Sequence, residues 1–497
     1  MAQGTSIRGL KVLRWNRLPE DLTSASDRIL VSAALDKIGW KSLRIARREH
    51  GLSRAYTTRQ NGDLEEQRLR LVNLPMRMLL LYLVLGIACE VGCAADEWGE
   101  FRGPRGDGIA ASSQPPVTWS EEKHIQWKTE IHDKGWSSPV VWENQIWITT
   151  ATEDGHQLFA VCVDRTTGDI LHDRLIFEVE NPEPVPFDNS YASPTSAIEA
   201  GRVYLHYGTY GTACVDTNSG EILWERRDLK CEHEAGPNSS PFLWNDLLIV
   251  NVDGRDVQYV IALDKFSGDT VWKTERSVDF SEVPVHQRKA YSMPLLIDTD
   301  GPDNDGGLQI VSPGGRSIIS YDPADGTELW KIEHRGWSIA PRPVYGHDLL
   351  FAVMDHDHPE LWAIRPDGTG DVTETHIEWK LKRGVPARSS PILIDDLLFM
   401  VDRNGVLSCV EAVTGDIVWK ERLEGNYSAS PIFADGRLYF FNEDAVTTII
   451  KPGRKFELVS ENALAKDVLM ATPAAVGDEL IIRTLHHLYC ISEPPAE

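Results

Sequence analysis

The residues best suited to chemistry by type and spacing form a short acidic run, "DTDGPDNDGG", at 298–307. Its four carboxylates, Asp298, Asp300, Asp303 and Asp305, alternate with glycines and one proline. Clustered hard oxygens on a bendable backbone suit a cation such as Ca²⁺. The run is not an EF-hand loop, because the twelfth position holds Gln309 where a bidentate Glu is required. The alternative is a solvated polar turn between strands. A second candidate, "DHDHP" at 355–359, places His356 and His358 two apart, and His486 and His487 are adjacent. Imidazole pairs suit transition metals, yet both stretches sit where strands connect, so an exposed loop is the competing reading. No phosphate-binding glycine loop, dinucleotide fingerprint, HExxH helix, nucleophile elbow or kinase signature occurs.

Whatever holds these residues is repetitive. "CVDTNSGEILW" (Cys214–Trp224), "ALDKFSGDTVW" (Ala262–Trp272), "SYDPADGTELW" (Ser320–Trp330) and "CVEAVTGDIVW" (Cys409–Trp419) share one spacing. An acidic residue precedes a Gly by four, and Trp follows that Gly by four. "CVDRTTGDILH" (Cys162–His172) has His in place of Trp, and "HIEWK" around Trp379 is a looser copy. Asp at a strand end accepts hydrogen bonds from N–H groups two residues on. Gly takes the positive φ that the turn demands, and strand alternation fixes the face of the Trp. A second signal alternates with the first: Ser-Pro or a similar pair, then two apolar runs about a turn. The prolines fall at 139, 194, 241, 294, 343, 391, 431 and 473. Eight units of about 40–55 residues have the period of four-stranded propeller blades. The eighth lacks a Trp strand after Ser492, while "HIQWKTEI" (124–131) carries Trp127 ahead of the first unit. The spacing predicts that this strand completes the last blade and closes the ring, leaving no open edge.

With innermost strands opening at the Ser-Pro signal, residues about three before each Pro converge on the axis. They are Trp136, Tyr191, Asn238, Tyr291, Arg388 and Met470, with Tyr427 nearby. Aromatics, an amide and an Arg around a central funnel form a ligand-site expectation; the alternative is that they plug the channel. Trp127, Trp224, Trp272, Trp330, Trp379 and Trp419 are expected to dock between adjacent blades.

The Ala-x-Asp-x-x-x-Gly-x-x-x-Trp spacing resembles the docking motif of the pyrroloquinoline-quinone-type (PQQ-like) eight-bladed propellers. The resemblance covers about Glu97 to Ser492. "FRGPRGDG" (Phe101–Gly108), "GWSSPVVW" (Gly135–Trp142) and "LWAIRPDGTGDV" (Leu361–Val372) also resemble exported PQQ-like proteins of environmental bacteria. It implies an all-β, eight-bladed propeller of four-stranded antiparallel blades. Two functional expectations follow: a non-catalytic binding or scaffold protein outside the cytoplasm, similar to the outer-membrane-assembly lipoprotein of this fold, or a quinoprotein oxidoreductase using PQQ and Ca²⁺. The enzymes of the superfamily hold PQQ on the axis over a Trp, beside Ca²⁺, many with a disulfide between adjacent cysteines. This chain has no Cys-Cys pair, and no metal triad can be placed residue by residue. A carbohydrate- or peptide-binding propeller is the third expectation.

Residues 1–75 carry 14 Lys/Arg against 8 Asp/Glu, a net +6, whereas the whole chain is −25. The body is therefore strongly acidic, which does not favour nucleic acid, whose binding needs a cationic face. Met76-Arg77, the apolar "MLLLYLVLGIA" (Met78–Ala88) and the small-residue end at Cys93-Ala94-Ala95 read as a secretory signal over 76–95. Its apolar run is too short for a span of ~20 residues. Cleavage is expected near Asp96, and the leader 1–75 reads as a wrongly extended frame or a basic extension. The expected domain is then 96–493, with a tail at 494–497 and a periplasmic or extracellular destination. A protein or small-molecule partner, a monomeric state and an envelope association complete the expectations. Cys162, Cys214, Cys409 and Cys490 all occupy the slot of Ala262 and read as core residues; Cys231 has no evident partner.

Overall fold

A computed structural model describes residues 4–7, 10–13, 97–110, 112–301 and 304–493. In the leader it gives one short antiparallel pair, Gly4–Ile7 with Leu10–Leu13. The signal-like stretch 76–95 and Asp303 lie outside the described residues.

The repeats fold as eight four-stranded antiparallel blades around an axis. Blade 1 runs Val140–Trp142, Gln145–Ala151, Gln157–Asp164 and Ile170–Glu178, from the innermost strand outward. The inner strands of blades 2 to 8 are Ala197–Glu199, Phe242–Trp244, Leu295–Gly301, Val344–Gly346, Ile392–Ile394, Ile432–Ala434 and Ala474–Val476. Blade 8 takes its fourth strand from the other end of the chain. Ile125–Glu130 pairs with His487–Ile491, and Trp127 sits opposite Cys490, so the ring closes as the spacing predicts.

The repeated turn has a mechanical role visible atom by atom. In blade 3, Asp264 Oδ1 accepts from the N–H groups of Phe266 and Ser267, at 2.9 and 2.8 Å, and Gly268 N–H returns to Asp264 O at 2.8 Å. Gly268, at φ +77°, then lies flat on the Trp224 ring of blade 2, with no room for a Cβ. The Trp224 indole N–H donates to Lys265 O of the same turn at 2.9 Å. Trp127, Trp272, Trp379 and Trp419 likewise donate to Arg165, Pro323, Ala412 and Gly453 carbonyls of the next blade, at 2.7–3.1 Å. His172 meets the next blade's Gly220 in the same way.

Trp330 differs. It is fully buried between blades 4 and 5, but its N–H stays within blade 4, on Gln309 Oε1 at 2.8 Å. The physical reason is that blade 5 replaces the Asp-Gly turn with a longer connection. Its Gly370–Asp371 pairs in parallel with Trp330–Lys331 as a fifth strand. Opposite each docking ring stands a small residue: Cys162 faces His172, Cys214 faces Trp224, Ala262 faces Trp272 and Cys409 faces Trp419. The described cysteines are all free and buried.

A segment ahead of the ring closes one end of the axis. Glu97–Trp98 pairs with the inner strand of blade 1, and Ile109–Ala110 pairs in parallel with that of blade 7. Between them, the fully buried Arg102 donates to Asp107 O and Pro391 O, at 2.9 and 2.8 Å. Arg342 of blade 5 reaches Glu100 Oε1 and Phe101 O, both at 2.9 Å. "FRGPRGDG" is thus a plug tied to blades 5, 6 and 7, with Glu97–Trp98 ahead of it tied to blade 1.

Candidate functional site

Two positions in each blade, one and three residues before the Pro slot, build the axial site. The residue just before that slot is a hydroxyl in six blades: Ser138, Thr195, Ser240, Ser390, Ser430 and Thr472. Around much of the ring, the backbone N–H at this position in one blade donates to the hydroxyl of the next. Ser138 bonds to Thr195, Thr195 to Ser240, Arg342 to Ser390, Ser390 to Ser430, Ser430 to Thr472, and Thr472 back to Ser138, at 2.9–3.1 Å. Blade 4 breaks this belt with Met293. The belt explains the Ser-Pro signal: Pro carries no N–H to satisfy, and the residue before it supplies the contact that joins blades at the axis.

Three residues before the slot, side chains surround a chamber of about 420 Å³. Trp136, Asn238, Tyr291, Arg388 and Met470 line it, as the sequence predicts. Tyr191 and Tyr427 do not. In blade 2 the Pro slot is filled by Ser196, because Pro194 stands two residues early and the inner strand begins at Ala197. Counting from Ser196 gives Ser193, which lines the chamber. Tyr191 instead packs against Gly155 and donates to Glu183 O at 2.7 Å. Tyr427 is one residue off register, so its ring is buried in the blade 6 and 7 core, and Ser428 takes the lining position. Ala340 completes the set in blade 5.

Other lining residues escaped the repeat. Phe101 comes from the plug, and Lys289, Trp337 and His356 from blade connections. A strap over 180–190, stiffened by Pro182, Pro184 and Pro186, carries Asp188 from the connection between blades 1 and 2 to Arg388 of blade 6, with a 2.5 Å ion pair. Burial acts to raise the Asp188 pKa, but the Arg388 hydrogen bond and charge outweigh it and hold the carboxyl below its ordinary value. Lys289 is 5% exposed, pairs with Glu234, and lies over the Trp337 ring at 5.8 Å. His356 is pushed down, first by burial and then by Arg388, so it is neutral at pH 7.

These groups limit the chemistry. Asp188 is the one carboxylate among the described lining residues, and Arg388 engages it. Among the described residues no three His, Cys, Asp or Glu side chains converge on a metal position. A Ca²⁺ beside a quinone needs several convergent oxygens, so the residues present do not fit a PQQ–Ca²⁺ site. The acidic run lies elsewhere, as a hairpin of blade 4: Asp300 pairs with Asp305 across it, and Asp298 is exposed. The 355–359 histidines occupy a strand connection, while His486 ends one and His487 opens the last strand of blade 8, and both His486 and His487 pair with Asp467.

A family model described as outer membrane protein assembly factor BamB matches residues 209–372 and 360–452. No curated protein matches the sequence. Among solved structures, BamB from Moraxella catarrhalis aligns at TM-score 0.52 and 13% identity, over 75% of this chain and 98% of that one. A europium-containing methanol dehydrogenase aligns at TM-score 0.58 and 11% identity, over 79% and 90%. The quinohemoprotein alcohol dehydrogenase ADHIIG from Pseudomonas putida aligns at 0.54 and 11%, over 81% and 82%. What these proteins share with the chain at such identity is the fold. In its repeat, matched over 209–452, and in its eight-bladed fold, the chain is similar to the PQQ-like propellers.

Proposed function

We propose that this protein is a non-catalytic binding propeller that works outside the cytoplasm and takes a small ligand into its axial chamber. One observation carries the reading: the ionisable lining groups are already paired or neutral. Arg388 is held by Asp188, Lys289 by Glu234, and His356 is uncharged. Among the described lining residues no unpaired charge faces the space, whereas aromatic rings and neutral hydrogen-bonding groups do. Such a chamber is equipped to hold a molecule rather than to transform it. The family model's description, an assembly factor, agrees with a binding role. Export rests on the signal-like stretch at 76–95, and N-terminal sequencing of exported protein is expected to begin near Asp96.

The test uses a chain starting at Glu97, supplied with PQQ and Ca²⁺ and screened with dye-linked alcohol and sugar oxidation. No quinone spectrum and no dye reduction are expected. Turnover that disappears in Ala340→Trp, which fills the chamber from its wall, would establish the quinoprotein alternative.

A further inference from the structure

The hydroxyl belt leaves a defined set of hydrogen-bonding sites unused. Ser138, Thr195, Ser240, Ser430 and Thr472 all line the chamber. Each accepts one backbone N–H from a neighbouring blade. None donates its own proton to another group of the protein among the described residues. A hydroxyl has one donor and two acceptor sites, so each of the five still offers one of both kinds. The Asn238 amide, which makes no hydrogen bond to described residues, likewise offers both. The Trp136 indole N–H is also unpartnered.

A wall that can donate and accept at each point matches a ligand whose groups do the same. Alcohols do; carboxylates and phosphates only accept. The charges in the wall are cancelled in pairs, so a buried anion would lose hydration without gaining a free cation, a costly exchange. Between the polar positions stand the rings of Trp136, Tyr291 and Trp337, aromatic surface that suits the C–H groups of a sugar ring through dispersion and area burial. The plug closes the deep end with Phe101 and the strap crosses the mouth with Asp188. This excludes a through-running chain and fixes the scale near the lower end of small-molecule sites, about 300–1,000 Å³.

We infer that the chamber binds an uncharged polyhydroxylated ligand, a monosaccharide or disaccharide, with its hydroxyls on the Ser/Thr belt and Asn238. This rests on the binding reading above and names the ligand class for the same site.

Calorimetric titration decides it, using the chain from Glu97. A neutral panel comprises glucose, galactose, mannose, N-acetylglucosamine, maltose, cellobiose and trehalose; an anionic panel comprises glucuronate, citrate and PQQ with Ca²⁺. At least one neutral sugar is expected to bind saturably, with glucuronate at least tenfold weaker. Asn238→Ala removes no bond within the protein, so its melting temperature should match the parent, while the sugar Kd rises about three- to tenfold, the worth of one neutral hydrogen bond. Ala340→Trp should abolish binding. If only anions bind, and Ala340→Trp removes that binding, the ligand class falls and the binding chamber stands. If neither panel binds, both fall.

Discussion

Replacing Gly268 with Ala separates backbone strain from blade docking. At φ +77° any L-residue pays about 1–2 kcal/mol, partly offset by about 0.4–1 kcal/mol from a less flexible unfolded chain. The new methyl would also stand 2.7 Å from Trp224 Cε3 and 2.8 Å from Cδ2, inside any real contact. The indole cannot retreat freely, because its N–H is fixed to Lys265 O. Overpacking of this kind costs about 1–3 kcal/mol more. Gly436 supplies the control, since at φ +69° a methyl added there would meet nothing within 4 Å. Gly268→Ala should therefore be about 1–3 kcal/mol more destabilising than Gly436→Ala. Trp224→Ala alone should cost about 3–5 kcal/mol, and in that background Gly268→Ala should shrink to the Gly436→Ala value. Urea midpoints at equal m-values read all four variants, and the double-mutant cycle isolates the coupling. Equal losses for Gly268→Ala and Gly436→Ala, or no coupling to Trp224, would refute docking through this glycine.

Three further outcomes follow from the same structure. A chain starting at Lys123 keeps the closing strand and should stay monomeric, whereas one starting at Ile131 exposes the outer edge of blade 8 and should scatter light on warming; equal melting and scattering would contradict closure by Ile125–Glu130. Asp253 and Arg276 form a two-point ion pair at 2.6 and 2.7 Å, at most 1% exposed, so Asp253→Ala should cost about 3–5 kcal/mol by stranding a buried cation, measurable as a shifted urea midpoint. Burial lowers the pKa of His206 to about 3 and of His233 to about 4, against 6.5. The unfolded chain thus binds more protons between pH 6.5 and about 4, and stability should be full above pH 6.5 and fall below it, by about 1.4 kcal/mol per pH unit per histidine. His233→Gln should flatten that slope between about pH 6 and 4.5, and an unchanged slope would rule out the buried neutral imidazole.

Legibility in the sequence followed from how each feature repeats. The docking turn was readable because one spacing solves one packing problem in most blades, and the closing strand because Trp127 carried that spacing outside its unit. Trp330 broke the rule where blade 5 lengthened its connection, which no spacing within blade 4 records. The axial set was readable wherever Pro marked the inner strand, and failed at Tyr191 because Pro194 is not in the structural slot. Tyr427 failed through strand alternation, since a one-residue offset turns a side chain to the opposite face. Asp188, Lys289 and His356 reach the chamber from connections between blades, so only the assembled ring brings them together.

The two axial positions divide the labour. One residue before the Pro slot, hydroxyls recur because each satisfies a backbone N–H of an adjacent blade; losing one exposes an unpaired buried donor. Three residues before it, the eight blades present Trp, Ser, Asn, Tyr, Ala, Arg, Ser and Met, with no shared chemistry. A position that varies within one chain, while its neighbour two residues on is a hydroxyl in six of the eight blades, is not set by the fold's own needs. Its choices are free to answer a ligand. Ring closure and chamber specificity are thereby encoded on the same short segments, two residues apart and facing the same side of the strand entry. The fold can then keep its belt while the chamber above it changes occupant.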